Sequence, residues 1–81
     1  MPLVFSHQSL KFFFYSNEGN PREPVHVHVR SAGASAKVWL HPTIGIAESR
    51  GFNSKELSAI LRLVMENRQI IEKTWHDYFG N

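Results

Sequence analysis

The sequence predicts an α+β fold, a small antiparallel sheet of three or four strands packed against a C-terminal amphipathic helix or helix pair. Two observations carry this expectation. Short runs alternate at every second residue up to about residue 53, and beyond it apolar residues recur at spacings of three and four. The length of 81 residues leaves room for one modest core, and so for a single domain over residues 1–81.

Taken in chain order, Leu10–Ser16 is rich in phenylalanine and tyrosine and reads as a strand. Asn17–Pro24 reads as a loop, because Pro21 and Pro24 cannot donate to the ladder of a central strand. In Val25–Arg30 the valines 25, 27 and 29 point to one side and His26, His28 and Arg30 to the other. Ser31–Ala34 is a turn around Gly33, and Ser35–His41 alternates again, with Ala36, Val38 and Leu40 against Lys37, Trp39 and His41. Pro42 ends that strand, and Ile44–Arg50 is a weaker extended segment closed by Gly51. The hairpin must pair valine with valine, since a one-residue slip would set valines opposite lysine and tryptophan.

Asn53 and Glu56 have the spacing of a capping box, which starts a helix at Ser54. Leu57, Ile60, Leu61, Val64, Ile71, Trp75, Tyr78 and Phe79 follow at helical spacing, and Gly80 stops the run. One continuous helix to Phe79 would be about 39 Å long, more than the roughly 30 Å diameter of a small domain. Arg68 also falls within its apolar stripe; a break or kink near Asn67–Arg68 would explain both facts, and the pattern alone leaves one helix or two open. The expected core is Val25, Val27, Val29, Val38, Leu40, Leu57, Ile60, Leu61, Val64, Ile71 and Trp75. Leu63 and Ile70 lie off the main stripe, either as a wider buried face or as a contact for a second subunit.

Composition excludes several classes. There is no cysteine, hence no disulfide framework, thiolate metal site or cysteine nucleophile. Apolar residues at 42% and charged residues at 20% describe a folding chain rather than a disordered one. No apolar run approaches the roughly 18 residues that span a bilayer, and residues 1–16 lack the features of a secretory signal, so a cytoplasmic protein without membrane partners is expected. The net charge of +2 is small, but all of it belongs to residues 1–53, because residues 54–81 carry four charges of each sign. An anionic partner, if the protein has one, is therefore expected on the N-terminal half.

The candidate site is the polar face of the hairpin, formed by His26, His28, Arg30, Lys37, Trp39 and His41. Imidazoles at i and i+2 on a strand project together and could chelate a metal with a third ligand, but no acidic third ligand shares the face, and neither a metal nor a cofactor is assigned. The same residues could bind an anion or RNA, with His, Arg30 and Lys37 as charge-assisted donors and Trp39 as a stacking face. A histidine there could also act as general acid or base in RNA cleavage. The plainest alternative is that one histidine is hydrogen-bonded beneath the helix and the rest are solvated. His76, among helix-end charges, is explained by the helix dipole, and no phosphate-cradling glycine loop is present.

The runs Glu23-Pro24-Val25-His26-Val27-His28-Val29, Ala36-Lys37-Val38-Trp39-Leu40-His41-Pro42 and Gly51-Phe52-Asn53, with Thr74-Trp75-His76-Asp77-Tyr78-Phe79 ending the helix, are together distinctive. Over residues 8–80 the chain resembles the bacterial domain-of-unknown-function family 4160. The resemblance implies a small prokaryotic cytoplasmic protein, often encoded beside another small protein and suspected of acting in toxin–antitoxin-like pairs. It implies no activity. The leading expectation is a non-enzymatic binding component that engages RNA or DNA, or a small cognate protein. A ribonuclease-like toxin using His26 or His28, and a protein-interaction module that could include a homodimer, are the alternatives.

Overall fold

The computed structural model describes residues 3–15 and 23–80. The sheet has five strands, β1 (Leu3–His7), β2 (Leu10–Phe13), β3 (His26–Ser31), β4 (Ala34–Trp39) and β5 (Gly45–Arg50). They follow one another in space as in sequence, each antiparallel to its neighbour. Two helices, α1 (Ser54–Glu66) and α2 (Arg68–Phe79), follow the sheet. The α+β class is as expected, but five strands replace the three or four anticipated. The additional strand, β1, has no clean alternation, because an extra residue, Val4, interrupts its register with β2. Val4 and Phe5 both pack towards the core as a result, and Phe5 stacks on Phe12 at 4.3 Å between ring centroids. The β1–β2 turn, Gln8–Ser9, carries none of the usual glycine or asparagine turn signals, and Gln8 adopts φ 56°. Residues 17–22 of the expected loop Asn17–Pro24 lie outside the described residues.

The hairpin of β3 and β4 pairs Val27 with Val38, His28 with Lys37 and His26 with Trp39. Burying a valine contributes about 1.5 kcal/mol or more, so a slip that exposed Val27, Val29 and Val38 and buried Lys37 would be prohibitive. Val27, Val29, Val38 and Leu40 are fully buried from the sheet side, and Ile60, Val64 and Ile71 from the helix side. Phe12 and Phe14 join them, and Phe14 meets Trp75 edge-on at 5.3 Å. Leu57 and Leu61 flank this core half-buried rather than within it.

The capping box forms in full: Asn53 Oδ1 accepts from Glu56 N–H at 2.8 Å, and Glu56 Oε1 from Asn53 N–H at 2.8 Å. The expected break falls at Asn67, whose side-chain amide donates to the Leu63 carbonyl at 2.8 Å, competing with the backbone as asparagine does. The break lets the helical region fit a body of 33 × 23 × 21 Å. It also turns Arg68 outward, where its Nε–H donates to Glu72 Oε2 at 2.7 Å. Leu63 packs against the core, whereas Ile70 is exposed. Among the described residues no helix is long and apolar enough to cross a membrane.

Candidate functional site

Both helices cover the valine face of the sheet, which leaves the opposite face of β2–β5 to carry the polar residues. Strand pairing arranges that face in transverse rows. One runs Lys11, Arg30, Ser35, Arg50 across four strands. The next runs Phe13, His28, Lys37, Glu48, and a third sets His26 beside Trp39 and Gly45. Adjacent strands lie about 4.8 Å apart, so the first row presents three cations over roughly 14 Å. A groove of about 330 Å³ opens between the first two rows, and Phe13, Tyr15, His28, Arg30, Lys37 and Arg50 are among its lining residues.

Of the residues singled out in the sequence, His26, His28, Arg30, Lys37 and Trp39 do come together on this side. They are not equivalent. His26 is 0% exposed: its Nδ1–H donates to the Pro24 carbonyl at 2.9 Å, and its ring meets Trp75 of α2 at 5.1 Å and Trp39 at 5.3 Å. It ties the start of β3 to the helix layer, which is the structural role foreseen for one histidine beneath the helix. His28 lines the groove, half-buried, with Tyr15 at 4.5 Å and Phe13 at 5.7 Å between ring centroids. Arg30 extends over the Phe13 ring at 5.6 Å and stays exposed.

Lys37 is drawn away from its ladder neighbour Glu48. Its ammonium lies over the Trp39 ring at 4.4 Å and donates to Glu23 Oε1 at 3.2 Å, leaving the side chain 18% exposed. Trp39, expected as a stacking face, thus carries the Lys37 ammonium over its ring. His41 also parts from the group. Regular pairing ends at Trp39, and His41 Nε2 instead approaches Glu72 Oε2 of α2 at 3.3 Å. The hydrogen bond from Arg68 holds the Glu72 carboxyl below the usual carboxylate range against the opposing effect of burial, with the charges of His41, Arg68 and His76 adding to it. Among the described residues no three histidine, aspartate or glutamate side chains are grouped to hold a metal ion.

Lys11, Tyr15, Glu48 and Arg50 belong to this face but were not legible as part of it. Alternation within β2 shows that Lys11 and Phe13 share a side, but not which side of the hairpin they join. For β5 alternation misleads. Ile44, Ile46, Glu48 and Arg50 have the same parity, and the isoleucines pack against the core. An extra residue, Ala47, shifts the register between the Val38–Ile46 and Lys37–Glu48 pairs and so turns Glu48 and Arg50 to the open side.

Searches among curated proteins and among solved structures found no match. The sequence model of one family covers residues 10–76, from the start of β2 to near the end of α2. That span includes β2–β5, α1 and most of α2, so the chain belongs to the family described as domain of unknown function DUF4160.

Proposed function

We propose that the protein is a non-enzymatic binding component whose open sheet face holds single-stranded nucleic acid, chiefly through phosphates. The observation that carries this reading is the alignment of Lys11, Arg30 and Arg50 in one transverse row beside the Tyr15–His28 rings. Cations beside aromatic rings on a sheet face are what single strands exploit, with charge tracking the backbone and rings receiving bases. Lys37 contributes less than its position suggests, because Glu23 already neutralises it. A small cognate protein, as in a toxin–antitoxin-like pair, is the competing occupant of the same face.

The test is a fluorescence titration of single-stranded RNA at several salt concentrations. Three phosphate contacts imply an affinity that falls with salt at a log–log slope of about −2. Arg30→Ala/Arg50→Ala should weaken binding and make that slope shallower, to about −0.7, while far-ultraviolet circular dichroism stays unchanged. Absence of binding, or binding indifferent to the double substitution, would transfer the face to a protein partner.

A further inference from the structure

The cation row is uneven. Arg30 and Arg50 are both ladder partners of Ser35, on β3 and β5 to either side of it, so two guanidinium side chains flank one short hydroxyl on strands about 10 Å apart. All three residues are exposed and line the groove, whereas Lys11 stands one strand further along the row and is not part of that lining. Among the described residues neither arginine makes an ion pair. A ring contact engages the flat of a guanidinium, so the contact of Arg30 with Phe13 leaves its N–H fork available. Resting on the nucleic-acid reading above, we infer that Arg30, Ser35 and Arg50 hold the terminal phosphate monoester of a single strand, with Lys11 meeting the diester that follows.

The chemistry separates a strand end from a strand interior. An internal phosphate is a diester, with a single negative charge and two free oxygens. A monoester carries a charge of about −1.5 to −2 at pH 7 and three accepting oxygens. Two N–H forks with a hydroxyl between them match the larger charge and the third oxygen. Two like charges facing one gap also repel each other until an anion enters it. The surroundings favour an end at this place. Arg50 stands on β5, an edge strand of the sheet, and Glu48 in the next row of β5 opposes a backbone continuing that way. A strand that ends between the arginines finds its next cation along the row, at Lys11.

The experiment is a competition against a labelled oligouridine, with wild type and Arg50→Lys. The unlabelled competitors are eight-residue oligouridines bearing a 5′-phosphate or a 3′-phosphate, and a nine-residue oligouridine with hydroxyl ends that brings the total charge close to theirs. The wild type should favour one of the phosphorylated forms over the nine-residue oligomer by about fivefold, the scale of one good exposed ion pair. The form that wins identifies the end that is held. Arg50→Lys keeps the charge but loses the fork, so the preference should fall to below about twofold while the salt dependence stays as in wild type. Equal binding of all three competitors by the wild type, or a preference undiminished in Arg50→Lys, overturns the terminal-phosphate assignment and leaves the phosphate-binding reading intact. Failure of every oligomer to bind overturns the two together.

Discussion

Gly51 joins β5 to α1 at φ 89°, a conformation that side chains resist. A Cβ there would stand 3.0 Å from the Cβ of Ala34 and 3.1 Å from its Cα, so backbone and side chain both oppose substitution. Gly51→Ala should destabilise the protein by about 1–3 kcal/mol, read as a lower urea midpoint. A midpoint unchanged from wild type would show that the β5–α1 corner adjusts freely. His26 illustrates a second lesson at the same scale. Its neighbour in alternation, His28, lies two residues along the same strand, yet one ring is sealed between two tryptophans and the other lines a groove. Side-chain type and facing were readable from the chain; burial depended on Trp75, which is 49 residues away in sequence.

At the scale of elements, the α1–α2 break and the end of β4 are held by one polar cluster. Glu72 receives Arg68 at 2.7 Å from its own helix and His41 at 3.3 Å from the segment after β4. Because the folded-state carboxyl is held below its usual range, ionised Glu72 contributes stability that is complete above that range. This contribution is lost as the pH falls through the depressed value. Glu72→Gln should therefore cost less than about 1 kcal/mol at pH 7, as a partly exposed pair does, and the difference from wild type should narrow as the pH falls below about 4. Urea melts at a series of pH values check it. A difference that stays constant into acid would assign the cost to packing. The same cluster decides between the one helix and the pair that the periodicity of residues 54–79 left open: the helix turns at Asn67, and Arg68 leaves the apolar stripe.

The whole molecule is a two-layer arrangement in which both helices cover one side of the sheet. Among the described residues no helix covers the basic and aromatic face, and that asymmetry shapes the choice between binding and catalysis. General acid–base cleavage of RNA contributes about 10²–10⁴-fold when a histidine can reach the reacting proton. His26 is sealed, which leaves His28 as the histidine that lines the groove. We therefore expect no multiple-turnover cleavage of mixed-sequence RNA in a time course run beside a His28→Ala control. Cleavage that disappears in the control would reinstate a ribonuclease reading, and cleavage that persists would identify a contaminant.

What the chain determined by itself is local. Period two in Val25–Arg30 and Ser35–His41 specified a hairpin with valines on one side and His26, His28, Arg30, Lys37 and Trp39 on the other, although it also placed His41 there, which instead turns to Glu72. Asn53 and Glu56 marked the helix start, and Arg68 within the apolar run marked the break. These follow from side-chain direction and capping chemistry, which depend on residues a few positions apart. What only the tertiary structure decided involves pairing across distance. The offset at Ala47 reverses the facing of Glu48 and Arg50, the register of β2 against β3 brings Lys11 beside Arg30, and α2 determines which histidine is sealed. Alternation specifies sides only relative to a strand's own neighbours, so a bulge or a partner from elsewhere in the chain can reassign them.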